Sequence, residues 1–149
     1  MKYLVSACLM GDNCKYNGLN NYNEDVVAFL SNKEYVKVCP ECLGGLDIPR
    51  VPSEIKNSKV INKDNIDVTK EYQKGALKAL EIAKHNNCTC AIFKSKSPSC
   101  GCGKIYDGTF SKKLISGNGI TTSLLKKNNI KVYMEDEIDK IKENYEEDK

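Results

Sequence analysis

Two cysteines, three serines, one proline and three glycines share the stretch SKSPSCGCGKIYDG, residues 95–108. Thiols held on so short a loop serve a small set of chemistries: a disulfide, a zinc site, a redox dithiol or an iron–sulfur cluster. The chain has eight cysteines in all. Cys8 and Cys14 stand in SACLMGDNC, Cys39 and Cys42 form the C-x-x-C of CPEC, and Cys100 and Cys102 form a C-x-C pair. Cys88 and Cys90 begin the apolar run CTCAIF and read as small core side chains.

Composition narrows the choice. A chain of 149 residues is long enough for one domain, 1–149, with a core that needs no staples. Apolar residues make up 40% and charged residues 29%, the balance of a soluble globular protein. The opening MKYLVSACLMGDNC lacks the pattern of a signal peptide, and no apolar run approaches the roughly 20 residues of a membrane helix. The expected location is cytoplasmic, where thiols stay reduced, which argues against disulfides. The net charge of +3 comes from 23 basic and 20 acidic residues that are interspersed. No basic stripe with interleaved aromatics suggests nucleic acid, and nothing suggests a membrane partner. Oligomeric state is not legible.

The pattern then says where the cysteines must stand. KYLVSA, 2–7, reads as a strand ending at Cys8, YVKVCPE as a second strand stopped by Pro40, CTCAIFKS as a third buried strand and IKVYM as a fourth. Between them, NEDVVAFLSNK reads as a helix capped by Asn23 with Val26, Val27 and Leu30 on one face. TKEYQKGALKALEIAKHNN is the strongest helix, capped by Thr69, with Tyr72, Ala76, Ala79, Leu80 and Ala83 at helical spacing and Asn86 and Asn87 at its end. GITTSLLKKNN and EDEIDKIKENYEE are further helices, the latter with Met134, Ile138, Ile141 and Tyr145 along one face. GGLDIPRVPSEIKNSK reads as loop, and Asp107-Gly108 as a turn. Strands alternating with helices predict an α/β, three-layer sandwich with a mainly parallel, Rossmann-like sheet of about four strands. Ligands in such folds sit beyond the carboxyl ends of the strands. Cys8, Cys39 and Cys100 each follow a strand, so the topology brings three distant thiols to one sheet edge.

A structural zinc site would use four ligands, often paired C-x-x-C knuckles, of which CPEC is one. A redox dithiol at CPEC would sit at a helix start, and no helix is evident there. A cubane held by three thiolates keeps one iron open as a Lewis acid, the general logic of a catalytic metal site. Gly11, Gly44, Gly45, Gly101 and Gly103 would let backbone amides approach cluster sulfurs.

Three segments, SACLMGDNCKYNG, CPECLGGLDIPRVPSE and FKSKSPSCGCGKIYDGTFS, resemble in order the signatures of the 2-thiouracil desulfurases. The resemblance runs from Val5 to about Ile120 and is specific in combination. It implies a 4Fe–4S cluster on Cys8, Cys39 and Cys100 with one open iron, and a non-redox, hydrolytic release of sulfide from a small thiolated nucleobase. It further implies Glu41, of the CPE segment, as acid/base, and Ser97, opening SPSCG, as partner in proton transfer or substrate orientation. Ser99 is the alternative serine.

The chain departs from the pattern at Lys15, where arginine is common, and in the extra thiols Cys42 and Cys102. Either thiol could supply a fourth ligand and close the open iron. Two other classes compete with the enzyme: a sulfide or iron–sulfur carrier, and a zinc-stabilised binding module.

Overall fold

The computed structural model describes residues 1–145. Four strands form its central sheet: β1 (Lys2–Ser6), β2 (Glu34–Val38), β5 (Cys88–Phe93) and β8 (Lys131–Met134), in the order β2-β1-β5-β8. All three pairings are parallel. Side chains alternate across the sheet, as the period of two requires. Leu4, Ala91 and Phe93 pack on one face with Leu80, Ala83 and Leu125, from α3 (Thr69–His85) and α4 (Ile120–Lys127). Tyr3, Val5, Cys90 and Ile92 pack on the other with Val26, Phe29, Leu30, Ile138 and Ile141, from α1 (Glu24–Leu30) and α5 (Ile138–Tyr145). The result is the three-layer α/β sandwich that the alternation of elements predicts.

The local signals hold in most places. Asn23 caps α1, its side chain accepting from Val26 N at 3.0 Å. The expected apolar stripe of α3 is buried throughout. Cys88 and Cys90 are core thiols, 5% and 0% exposed. Other signals are corrected. Val68 is the N-cap of α3, and Thr69 instead accepts from Val60 N at 2.9 Å. Phe29 is buried on α1 while Val27 is only half-buried, because 3.6-residue spacing carries Val27 off the face. Met134 belongs to β8, and α5 begins only at Ile138. The two glutamates expected to extend that helix, at 146 and 147, lie outside the described residues.

Two further differences bear on the site. The loop expected over 44–59 contains β3 (Ser53–Lys56), which pairs antiparallel with β4 (Lys59–Asn62). Their two-residue turn, Asn57-Ser58, has φ of 51° and 65°. This is the turn that matches strand twist, normally signalled by glycine, which the sequence lacks there. A second hairpin joins β6 (Lys104–Tyr106) to β7 (Leu114–Ser116), around the expected turn at Asp107-Gly108.

A short helix, α2 (Pro40–Leu43), starts at CPEC, where no helix was expected. Proline at its first position and Cys39 at its N-cap are the signals. Four residues are too few to show a period. α2 lies directly on α3. A Cβ at Gly44 would stand 1.9 Å from the Glu71 carbonyl oxygen, and one at Gly75 would stand 1.9 Å from that of Pro40. The helices touch backbone to backbone, which only glycine permits.

Alanine in place of glycine inside an exposed helix stabilises by roughly 1 kcal/mol. Gly75→Ala has the opposite sign here. It is expected to lower stability by about 2–3 kcal/mol, through forced separation of the helices. Urea unfolding, with the midpoint falling at unchanged m-value, measures this. A raised midpoint would refute the close contact.

Candidate active site

The carboxyl ends of β1, β2 and β5 open onto a cavity of about 520 Å³. Each chemical segment reaches it by a separate local device. After β1 the chain turns through a single 3-10 turn, Ala7–Met10, closed by Gly11 at φ 98°. Cys8 sits on this turn. Its carbonyl accepts from Gly11 N at 3.3 Å and Asn21 N at 3.0 Å, and Asn21 Nδ2 donates to its sulfur at 3.4 Å. After β2, Cys39 begins α2, so Glu41 lies within the first turn of that helix.

After β5 the SPSCG segment folds onto the start of α4. Ile120 N donates to Pro98 O at 2.8 Å, and Thr121 N and Thr122 N donate to Ser99 O at 3.0 and 3.2 Å. The first amides of α4 are thus satisfied by loop carbonyls rather than by a cap side chain. Gly119 permits this approach, since a Cβ there would stand 2.4 Å from the Ser99 carbonyl. Thr122 Oγ1 donates to Cys100 O at 2.8 Å, and Ser99 Oγ bonds Thr121 Oγ1 at 2.8 Å. Ser99 is therefore spent on structure, 1% exposed, and is absent from the cavity wall.

Cys8, Cys39, Cys100, Glu41 and Ser97 all line the one cavity. Cys14 joins them; Cys42 and Cys102 do not. All eight cysteines are free. Among the described residues, no three Cys, His, Asp or Glu side chains close around a single ion. The three thiols ring a space instead.

The polar partners define what each group can do. Ser97 Oγ accepts from Ser99 N at 3.0 Å and Cys100 N at 3.1 Å. Both lone pairs are used, so its remaining capacity is to donate its proton. Glu41 is held by one donor on each oxygen: Tyr72 Oη–H on Oε1, and Arg50 NH2 on Oε2 at 3.0 Å. Each oxygen keeps a further acceptor site. Arg50, its side chain 7% exposed, also donates to Cys14 O at 2.8 Å and Asp47 O at 3.2 Å, while its buried Nε has no partner. Lys94 Nζ pairs with Glu135 at 2.7 Å and, with Lys15, Lys63, Lys96 and Lys112, lines the cavity.

These surroundings split the thiols. Cys39 is lowered to about 6, first by its hydrogen bond with Cys14 and further by donors from Cys42, against the effect of burial. Cys42 is pushed up to about 11 by burial and by Cys39. Burial also raises Cys8 and Cys100. Burial, then Glu41, raises Tyr72, so its hydroxyl stays a donor.

Sequence and structure comparisons identify the lineage of this site. The family model described as 2-thiouracil desulfurase matches residues 3–137. This chain belongs to the 2-thiouracil desulfurase family. It is 42% identical to "Uncharacterized protein YbbK" of Bacillus subtilis (strain 168), over 93% of this chain and 98% of that protein. It superposes with a TM-score of 0.88 on the solved structure of "[4Fe-4S]-dependent thiouracil desulfidase TudS", at 36% identity over 93% of each chain.

The donor set suits the group named for that relative of the family. Three free thiols come from three loops, around a cavity rather than a point. The charge of Cys39 adds to burial in raising Cys8 and Cys100, so the three sulfurs stand within electrostatic reach of one another. Lysines and Arg50 place positive charge on the same wall, which suits a group held by thiolates.

Glu54, Arg50 and Tyr72 matter more than the sequence suggests. In the sequence Arg50 is legible only as part of the segment that resembles the family, and Tyr72 only as a position on the apolar stripe of its helix. Glu54 ends the same segment, with no role implied for it there, and it is a buried carboxylate on the cavity wall.

The split among these free thiols has a direct readout. A thiol whose pKa is lowered is thiolate above that value, so Cys39 reacts from about pH 6 upward and Cys42 only near pH 11. Iodoacetamide labelling at pH 7, mapped by peptide mass, is expected to fall first on Cys39. Labelling that begins at Cys42 reverses the assignment.

Proposed function

We propose that this chain is an iron–sulfur-dependent desulfurase that converts a thiolated nucleobase, of the 2-thiouracil type, to the oxo base with release of sulfide and no net redox change. Cys8, Cys39 and Cys100 hold a 4Fe–4S cluster, and Glu41 and Ser97 act on the substrate. The observation that carries the reading is the meeting of these five side chains on one cavity wall. When bound, the cluster would supply an open iron, a Lewis acid for a thiocarbonyl sulfur.

The overall change is C=S plus water to C=O plus hydrogen sulfide. It needs water activated at carbon and protons managed at oxygen and sulfur. Glu41 is the group that takes the water proton. Its carboxylate is oriented from behind by Tyr72 and Arg50, and its free acceptor sites remain for water. Ser97 donates from the opposite loop, its hydroxyl turned by the two amides it accepts from. Arg50 ties Glu41 to the Cys14 loop, so acid/base and thiols keep one geometry.

Anaerobic reconstitution with iron and sulfide, followed by metal and acid-labile sulfide counts and assay with 2-thiouracil, tests the reading. About four of each per chain, with uracil and sulfide released, is the expected result. Stoichiometric zinc without labile sulfide would replace it with the binding-module reading. Sulfide passed to an acceptor with no thiouracil turnover would replace it with the carrier.

Glu41→Gln is expected to keep the cluster absorbance and lower kcat at least about 100-fold. A variant at wild-type rate removes Glu41 as the base. Cys42→Ser is expected to retain full iron content, whereas serine at Cys8, Cys39 or Cys100 loses it. Iron lost from Cys42→Ser sinks ligation by three cysteines.

A further inference from the structure

We propose that Phe110 is the aromatic wall against which the substrate's planar ring is held, and that Glu54 is the residue that positions it. This deepens the desulfurase reading and rests on it. Phe110 lies in the loop between β6 and β7 and lines the cavity that Cys8, Cys39, Cys100, Glu41 and Ser97 share. It is half-buried and belongs to none of the core clusters, so core packing does not explain it.

Its backbone is held in a demanding way. Phe110 has φ 57°, a left-handed conformation that a bulky side chain keeps only where its surroundings impose it. The imposing group is Glu54. Its Oε1 accepts from Phe110 N at 3.0 Å and from Gly108 N at 3.0 Å. Glu54 is only 8% exposed, so a buried carboxylate is committed to the backbone of a loop more than 50 residues away. Gly108, at φ 93°, presses the loop onto β3, since a Cβ there would lie 2.6 Å from Lys56 Cβ and 2.9 Å from the Ile55 carbonyl oxygen. The charge–dipole bonds of Glu54 are of the stronger kind and hold an otherwise open hairpin tip in one place.

Fixing an aromatic ring that is not buried makes physical sense when a ligand completes its burial. Among the described residues, three aromatic side chains line the wall, Tyr16, Tyr106 and Phe110, and Phe110 is the one whose backbone amide a buried carboxylate holds. An aromatic face recognises a flat ring, and stacking tolerates different ring substituents. Phe110 is thereby a specificity residue that favours planar thio-heterocycles over puckered analogues.

The test uses the reconstituted enzyme, 2-thiouracil as substrate, and uracil and the puckered dihydrouracil as competitive inhibitors. Phe110→Ala is expected to raise KM about tenfold, the equivalent of about 1.4 kcal/mol, with kcat largely retained. The same change is expected to erase the preference for uracil over dihydrouracil. Phe110→Tyr is expected to restore both. Glu54→Leu is expected to reproduce the loss, and Glu54→Gln, which keeps an acceptor oxygen, to rescue it. Iron and sulfide content is expected to be unchanged in every variant. Wild-type KM and inhibitor preference in Phe110→Ala, or loss of its cluster, overturns the role of Phe110. Wild-type KM in Glu54→Leu overturns the role of Glu54. In either case turnover by the wild-type chain leaves the desulfurase reading standing. A wild-type chain that forms its cluster but turns over no thiouracil removes that reading, and uracil binding followed by saturation-transfer NMR in the wild type and Phe110→Ala then decides the ring wall alone.

Discussion

No side chain fits between α2 and α3. At Gly44 and Gly75 each backbone lies where the other's Cβ would be, and that contact sets where α2 can stand. The consequences reach the chemistry in one step. α2 begins with Cys39 and carries Glu41 in its first turn, and α3 carries Tyr72 one turn from Gly75. With the helices this close, the Tyr72 hydroxyl reaches the Glu41 carboxylate. A helix of four residues has little stability of its own. Its placement is borrowed from the seventeen-residue α3, which in turn packs its apolar stripe on the sheet.

The sheet supplies the other half of the constraint. Parallel register puts Ser6 beside Val38, and Val5 beside Ile92, so three strands end at nearly the same level. Whatever follows them meets there. The chain then spends its irregular structure on aiming side chains: a 3-10 turn for Cys8, a helix start for Cys39 and a loop docked on α4 for Cys100. Two hairpins outside the main sheet complete the wall. They carry Glu54 and Phe110, which face the cavity from the side that the sheet leaves open.

What was legible in the sequence follows from this division. Strands and long helices announce themselves by period, and the convergence of Cys8, Cys39 and Cys100 follows from topology. The supporting residues do not. Tyr72 and Glu41 are 31 residues apart, and Glu54 and Phe110 are 56 apart. No local pattern links such pairs. Tyr72 was legible as a core position and is one; that its hydroxyl also orients a carboxylate depends on the glycine contact. Glu54 reads as one charged residue of an expected loop, and only the fold shows that it stands in a strand and is buried. The β3–β4 hairpin was hidden because Asn57 and Ser58 take left-handed backbone without the glycine that usually marks it.

The extra thiols illustrate how position overrides motif. With a helix starting at Pro40, CPEC has the local form of a redox dithiol, and the reason first given against that form fails. The distinction lies in what each sulfur faces. Cys39 shares the cavity wall with Cys8 and Cys100 and is lowered by its bond with Cys14. Cys42 stands off the cavity with Arg50 NH1 3.9 Å from its sulfur, and burial pushes it up to about 11. Cys102 likewise turns to the Val132 carbonyl at 4.0 Å and packs against the core. Neither extra thiol lines the cavity that Cys8, Cys39 and Cys100 share with Glu41, Ser97 and Cys14.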